Sequence, residues 1–306
     1  MLGSVTDSLL AARELGHAFG DVVALHSVNF DVPAGSTGLV GANGAGKTTL
    51  IQILLGILTP TTGSASVYDE DATTDFLDVR GRVGYMPETE CLPLDMTGAD
   101  FLVQAAGLAG LPKDAARQRG SDVLTLVGLN EERFRRIGEY STGMRQRTKL
   151  AQAIVGHPEL VFLDEPTAGL DPEGRDDMLD LISRLGSFGI NVLVSSHVLP
   201  DIERTCDWVL MLDGGTVVRS GPLDQLIEGD VASVEIVGDH EAVAAALRRA
   251  GATVDVDGMR LTVTASQGDP FLLIRDAVAD TGAGLLSLGP RSTTLEDVFL
   301  GQGGSR

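Results

Sequence analysis

Lysine, cysteine and long hydrophobic runs are all scarce in this sequence. Its two cysteines, Cys91 and Cys206, have no metal-ligand spacing, which argues against a disulfide framework and favours a reducing compartment. No run approaches the roughly 18 apolar residues that a membrane-spanning helix needs. Residues 1–10 lack the basic start and apolar core of a secretory signal. We therefore expect a globular protein that stays in the cytoplasm.

Positive charge is scarce as well. Only Lys47, Lys113 and Lys149 are lysines, and the formal net charge is -20. An acidic surface repels phosphate backbones, so we expect no nucleic acid among the partners. Two explanations of the acidic excess stay open. A salt-rich cytoplasm would screen the self-repulsion, whereas a genome that favours arginine explains the missing lysine but not the surplus of Asp and Glu.

A glycine-rich stretch lies between an apolar strand that ends at Val40 and a helical pattern that begins near Lys47. It matches the pattern G-x-x-x-x-G-K-[ST], in which glycines allow consecutive backbone N–H groups to face a polyphosphate. The lysine adds a positive charge, and the Thr48 hydroxyl can bind Mg²⁺. The predicted nucleotide site consists of Gly41, Ala42, Asn43, Gly44, Ala45, Gly46, Lys47, Thr48 and Thr49.

Two further apolar segments predict buried strands of a parallel sheet. Residues 160–163 are continuously apolar and lead into Asp164 and Glu165, and residues 190–194 end shortly before His197. Open α/β sheets bind their ligands at the carboxyl ends of their strands. We therefore expect these three polar side chains beside the glycine-rich stretch, with Asp164 close to the same Mg²⁺.

The remainder of the first domain predicts antiparallel strands and a helical insertion. Residues 9–32 alternate apolar and polar side chains in short runs, as antiparallel strands do. The pattern is mostly helical from about 88 to 158. It predicts helices over 97–110 and 113–127, and a third helix that Ser141 caps.

The tail contains none of the motifs described so far. After Gly229, strand and helix patterns follow in the order βαββαβ, which predicts a small ferredoxin-like domain. Its sequence has no cluster of cysteine, histidine and carboxylate residues, no glycine loop and no basic stripe. We expect a P-loop α/β domain over residues 1–229 and an accessory α+β domain over residues 230–306.

Several motifs in one order make residues 1–229 resemble the ATP-binding subunit of an ABC transporter. Residues 41–49 resemble its Walker A loop, and residues 160–165 resemble its Walker B segment with the adjacent glutamate. Residues 140–144 resemble the signature motif of exporter ATPases that are encoded apart from their permeases, and residues 168–171 resemble the D-loop. The ending TTLEDVFL resembles the accessory domain of that branch. The resemblance implies a parallel sheet with an antiparallel β subdomain and a helical subdomain.

The resemblance also implies roles for single residues around ATP. Glu165 would act as general base or position the attacking water, and His197 would hold the γ-phosphate and that water. Asp164 would bind Mg²⁺ through water, and Asp171 would communicate across a dimer. Phe19, which its spacing alone marks as strand core, would stack on adenine.

Two kinds of protein partner follow from the resemblance. A second copy of the chain would sandwich two ATP molecules, with Ser141, Gly143 and Met144 of one copy at the γ-phosphate bound to the other. The helical insertion would receive a separate membrane permease, which would place the chain at the inner face of the cell membrane as an exporter ATPase. Two alternatives stay open: the ATPase of a metalloenzyme-maturation transporter, and a soluble ABC ATPase without a transport function.

Three positions depart from the commonest pattern of the family. Thr142 replaces a signature glycine, and Met144 replaces the signature glutamine. Glu88 stands where most relatives have a glutamine that senses Mg²⁺ and the γ-phosphate. A carboxylate would bind Mg²⁺ more directly than an amide but would repel the phosphate, so Glu88 is a third candidate metal ligand beside Thr48 and Asp164.

Overall fold

The computed structural model describes residues 8–72, 77–227, 231–265, 269–290 and 295. The chain packs as two compact units, residues 1–222 and residues 223–306. The sequence places the domain boundary at Gly229, which lies outside the described residues. The first unit ends at Pro222, the last residue of its final strand, which is paired with Trp208.

The first unit contains both strands and helices. Its strands are β1 (Leu10–Phe19), β2 (Val22–Val32), β3 (Ser36–Val40), β4 (Thr62–Val67), β5 (Glu70–Asp71), β6 (Val83–Met86), β7 (Leu160–Asp164), β8 (Asn191–Ser196), β9 (Trp208–Asp213) and β10 (Thr216–Pro222). Its helices are α1 (Lys47–Leu54), α2 (Leu77–Arg80), α3 (Gly98–Leu108), α4 (Lys113–Leu126), α5 (Thr142–Ile154), α6 (Pro172–Leu185) and α7 (Leu199–Thr205).

A six-stranded sheet brings the predicted strand ends to one edge. Its order is β10-β9-β3-β8-β7-β6, and every neighbouring pair runs parallel except β9 with β10. All five residues of β7 are buried, as expected for a strand covered on both faces. The register sets Val40 opposite Ser196 and Asp164 opposite Ser195, so the carboxyl ends of β3, β7 and β8 meet.

The antiparallel region that the sequence predicted forms a second sheet. Its order is β2-β1-β4-β5, and β1 pairs with β2 and β4 in antiparallel fashion. In β2, buried Val28, Phe30 and Val32 alternate with exposed neighbours, which gives the sheet one apolar face. That face shares a core with Leu50 of α1 and Phe162 of β7, so both sheets are packed around the first helix.

The helical insertion lies between β6 and β7, as the sequence predicted. Its helices α3, α4 and α5 begin and end within a few residues of their expected bounds. The Thr97 hydroxyl accepts a hydrogen bond from the backbone N–H of Asp100 at 3.1 Å and caps α3. The Ser141 hydroxyl caps α5 by accepting from the backbone N–H of Met144 at 3.3 Å. In the described part of the chain, no helix is both long and apolar enough to cross a membrane.

The second unit has the element order βαββαβ. After α8 (Leu223–Ile227) come β11 (Val231–Val237), α9 (His240–Arg249), β12 (Ala252–Asp257), β13 (Arg260–Ala265), α10 (Pro270–Thr281) and β14 (Gly284–Pro290). The sheet order is β12-β13-β11-β14, and all neighbours are antiparallel, which is the ferredoxin-like arrangement. The TTLEDVFL segment lies outside the described residues apart from Leu295.

Candidate active site

The loop from Gly41 to Gly46 joins the end of β3 to the start of α1. Gly44 and Gly46 have φ angles of 83° and 102°, a region that glycine adopts without strain. A Cβ on Gly41 would lie 2.4 Å from the carbonyl oxygen of Leu212, and one on Gly46 would lie 2.7 Å from that of Ala24. The glycines therefore let the loop fold tightly at the amino end of α1, where N–H groups favour anions.

Lys47 and Thr48 connect this loop to the carboxylates after β7. The Lys47 ammonium donates to the carbonyl oxygen of Gly41 at 2.7 Å and lies 3.2 Å from Glu165 Oε1. Both of these charged side chains are only 7% exposed. The Thr48 hydroxyl donates to Asp164 Oδ2 at 2.9 Å. The structure thus brings the predicted loop and both predicted carboxylates together.

Ser195, to which the sequence assigned no role, is hydrogen-bonded to both Asp164 and Glu165. Its hydroxyl donates to Asp164 Oδ1 and accepts from the backbone N–H of Glu165 at 3.1 Å. The residue is fully buried at the end of β8. The sequence indicated only that Ser195 follows a buried strand. That position does not distinguish a structural serine from a functional one.

His197 lies against the second oxygen of Glu165. Its Nδ1 is 2.9 Å from Glu165 Oε2, while the imidazole is 49% exposed. Glu165 itself has a φ angle of 49°, an uncommon conformation for a residue with a side chain. Such conformations persist where surrounding contacts fix them, and they concentrate at functional sites. Lys47, Glu165 and His197 therefore form a continuous chain of polar contacts.

The oxygen donors of Thr48 and Asp164 suit a small hard cation. Within the described residues, no group of three or more His, Cys, Asp or Glu side chains is arranged to hold a metal without other ligands. Mg²⁺ usually takes only one or two protein oxygens and completes its shell with water and substrate phosphates. The adjacent Thr48 and Asp164 oxygens fit that pattern.

A second cluster lies apart from the glycine loop. A cavity of about 500 Å³ is lined by Ser141, Gly143, Met144 and Asp171 among others, and within the described residues its lining includes none of the 41–49 loop. Asp171 caps α6 by accepting from the backbone N–H of Gly174 at 3.1 Å. Two helix starts, those of α5 and α6, therefore border one open depression.

Phe19 and Glu88, two further predicted site residues, are both exposed. Phe19 is 51% exposed at the turn end of β1, so the strand-core interpretation from spacing alone is wrong. Its ring contacts the ring of His17 edge-on, with the two ring centroids 4.5 Å apart. In the next strand, the carbonyl oxygen of Ala24 lies close to Gly46 of the glycine loop. Glu88 is exposed, and it is its backbone carbonyl that accepts from Lys149 at 2.9 Å.

Burial changes the acid–base properties of groups behind the carboxylates. Lys149 is 2% exposed, and its burial lowers the pKa of its ammonium. Burial, and to a lesser extent the nearby Asp164 carboxylate, raise the pKa of Tyr85 to about 12. The sequence did not identify Lys149 as part of the site, because a lysine on a helix is ordinarily a surface residue.

Comparisons with known proteins give the family. A family model described as ABC transporter matches residues 25–168. An ABC transporter ATP-binding protein of Nostoc sp. is 42% identical over 67% of this chain. The matched region covers 62% of the length of that relative. A Nod factor export ATP-binding protein of Burkholderia lata is 32% identical over 94% of both chains.

Solved structures agree with the sequence relatives. The structure of the ATP-binding subunit of an ABC transporter matches with a TM-score of 0.64 at 30% identity, over 72% of this chain and 92% of that one. The match confirms the α/β fold that the motifs predicted. With the nearly full-length sequence match, it shows that the chain belongs to the ATP-binding subunits of ABC transporters, a family of ATPases.

Proposed function

We propose that the chain is the ATP-hydrolysing motor subunit of an exporter that works with a separate membrane permease. The observation that carries this proposal is the contact chain from the glycine loop through Lys47 to Glu165 and His197, beside the Thr48–Asp164 pair. In this proposal Lys47 binds phosphate, Glu165 is the candidate base and the Thr48–Asp164 pair is the candidate metal site, all at one edge of the sheet. The name of the Burkholderia relative supports export as the direction of transport.

The residues at this edge of the sheet would have different roles in phosphoryl transfer. Lys47 and the loop N–H groups hold the phosphates, and positioning with charge stabilisation accounts for most catalysis in this reaction class. Glu165 accepts the proton of the attacking water or orients that water, and His197 holds the γ-phosphate. Thr48 and Asp164, with Glu88 as a further candidate, would hold Mg²⁺, which neutralises charge on the phosphate oxygens. Phe19 stacks on adenine.

A second copy of the chain completes each site. The cavity at Ser141, Gly143 and Met144 lies at the start of α5, where the helix dipole favours an anion. Among the described residues, those that line this cavity include none of the 41–49 loop of the same chain. A nucleotide in the cavity would therefore be bound to the loop of another subunit. Asp171 borders the same cavity and would sense that neighbour. We propose a head-to-tail homodimer with two shared ATP molecules.

The permease docks on the groove between the helical insertion and β6. This groove has a volume of about 690 Å³ and is lined by Tyr85, Phe101, Ala105, Leu108 and Gln152 among others. Leu108 is 91% exposed, so it offers an apolar side chain that a bound permease could bury. The subunit would then sit at the cytoplasmic face of the membrane.

Co-purification from membranes tests the motor assignment. The chain would be expressed with the membrane protein encoded next to it, and we expect the two to purify together in detergent with ATP hydrolysis. Leu108→Glu should release the chain from the membrane protein. Phe188→Glu is the matched control, because Phe188 is also an exposed apolar residue, at 54%, but lies outside the groove. A chain that never associates with membranes would contradict the assignment.

A further inference from the structure

Asp201 is a buried carboxylate outside every motif described above. It lies in the first turn of α7, four residues after His197, and is 2% exposed. Buried carboxylates are costly unless they are paired and hydrogen-bonded, so each such group calls for an explanation. The contacts of Asp201 supply one.

Both oxygens of Asp201 are used, and they reach two different segments. Oδ2 accepts a hydrogen bond from the Thr167 hydroxyl at 2.8 Å. Oδ1 accepts from Arg175 Nε at 2.7 Å and lies 2.6 Å from the second guanidinium nitrogen of the same residue. Charge-assisted bonds of this kind are short and directional, so they fix relative positions.

The two partners of Asp201 belong to the segment that carries the candidate base. Thr167 is two residues beyond Glu165, in a tight turn where the backbone N–H of Ala168 donates to the Glu165 carbonyl at 3.1 Å. Arg175 is in the first turn of α6, and its backbone N–H donates to the carbonyl of Asp171 at 2.9 Å. Asp201 therefore joins the segment from Glu165 to Asp171 to the helix that follows His197.

This link bears on the contact between His197 and Glu165. The imidazole is 49% exposed, so packing around the ring does little to fix it. Its 2.9 Å approach to Glu165 Oε2 then depends on how the backbone after β8 is held against the backbone after β7. Asp201 provides a side-chain connection between those two segments.

We propose that Asp201 is a positioning residue, which holds His197 at hydrogen-bond distance from Glu165 through its bonds to Thr167 and Arg175. The proposal rests on the proposed ATPase site, in which Asp201 would act through Glu165 and His197 and not on the nucleotide directly. Misplacement of a catalytic group by about 1 Å can cost on the order of 10²-fold in rate. The loss should appear in turnover and leave nucleotide affinity unchanged, since no loop residue from 41 to 49 contacts Asp201 among the described hydrogen bonds.

The chain offers a matched control on the same two helices. Arg204 of α7 pairs with Asp176 of α6 at 2.6 Å on the surface, where the Asp176 side chain is 68% exposed. Asp176→Asn removes this α6–α7 ion pair without reaching the Thr167 turn, and Arg204 keeps its second ion pair, with Asp180 of α6 at 2.7 Å. A role for Asp201 that is merely structural would make both asparagine variants behave alike once their stabilities are matched.

Steady-state hydrolysis by the purified full chain tests the proposal. Asp201→Asn should lower kcat about 10-fold or more with KM for ATP within about twofold of wild type. Thr167→Val, which keeps the Arg175 pair, should lower kcat in the same direction, and Asp176→Asn should not. The double variant His197→Ala/Asp201→Asn should have the same kcat as His197→Ala alone, because Asp201 then has no imidazole to position.

A second readout does not depend on hydrolysis. In NMR spectra of the nucleotide-free chain, the His197 ring signals should shift in Asp201→Asn and Thr167→Val but not in Asp176→Asn. Unshifted His197 signals, or kcat losses that add in full to those of His197→Ala, would overturn the proposal. A wild-type chain without ATPase activity would instead refute the proposed function, and the histidine signals would still decide the role of Asp201.

Discussion

The ammonium of Lys47 lies 3.2 Å from Oε1 of Glu165, and both side chains are buried. Burying either charge alone would be costly, so each stabilises the other. A γ-phosphate offers Lys47 a second anion at the same place. We expect ATP binding to draw the lysine toward the phosphate and to leave the Glu165 carboxylate free to accept from water.

Removing the charge of Glu165 should separate hydrolysis from binding. Glu165→Gln keeps the shape of the side chain but cannot accept a proton, so phosphate release should slow by about 10²- to 10⁴-fold. ATP affinity, measured by calorimetry, should not fall. Glu159→Gln is the control, because Glu159 is an exposed carboxylate paired with Arg82. Turnover near the wild-type rate in Glu165→Gln would remove Glu165 from its proposed role.

Lys47 should matter for binding itself. Lys47→Ala removes the cation next to the loop, and charge-assisted bonds contribute roughly 1.5 to 3 kcal/mol, so the Kd for ATP should rise about 10- to 100-fold. Lys113→Ala provides the comparison, since Lys113 is exposed at the start of α4. Equal affinities for both variants would contradict the phosphate-binding role of the loop.

Gly41 is needed for space rather than for an unusual φ angle. A Cβ there would lie 2.4 Å from the Leu212 carbonyl oxygen, so Gly41→Ala should lower the free energy of unfolding by about 1 to 3 kcal/mol and weaken ATP binding. Gly81→Ala adds the same methyl group where nothing lies within 4 Å. It should change stability by less than about 0.5 kcal/mol in urea unfolding. A Gly41→Ala variant as stable as Gly81→Ala would refute the close approach.

Cys206 predicts a loss of stability at alkaline pH. Burial raises the pKa of its thiol from 9.0 to about 12. Below pH 9 the thiol is protonated in both states; above it, the unfolded chain ionises first, so the stabilisation is lost as pH rises toward 12. Between pH 9 and 11 the loss from this group should reach about 2 to 3 kcal/mol.

The same titration in a variant isolates the contribution of Cys206. Cys206→Ala should be less stable than wild type near neutral pH, because the buried sulfur is lost, but its unfolding free energy should fall less steeply above pH 9. Tyr85 remains in both chains, so its own raised pKa cancels in the comparison. Parallel curves for the two chains would contradict the assignment.

The sequence predicted the parts of the site that depend on local pattern. The 41–49 loop follows from residue spacing, and Asp164, Glu165 and His197 follow from their place at the ends of buried strands. Each of these signals lies within a few neighbouring residues, so no tertiary information was needed. The antiparallel and helical regions followed in the same way from hydrophobic periodicity.

The supporting residues could not be predicted, because their partners are distant in sequence. Ser195 meets Asp164 only through the strand register, and Asp201 meets Thr167 only after α7 has packed against α6. Lys149 reaches the Glu88 carbonyl from a helix face that periodicity alone cannot orient. Spacing also misassigned Phe19, because an apolar residue at a strand end has the same sequence pattern whether it packs inward or remains exposed.

In the proposed dimer, one ATP is held by the 41–49 loop of one subunit and by the Ser141 helix of another. Analytical ultracentrifugation of Glu165→Gln tests this claim most directly. We predict a dimer with Mg²⁺ and ATP, single subunits with Mg²⁺ and ADP, and single subunits with ATP when Ser141→Arg is added to block the cavity at the start of α5. Single subunits under all three conditions, or an ATP-dependent dimer that ignores Ser141→Arg, would contradict the claim.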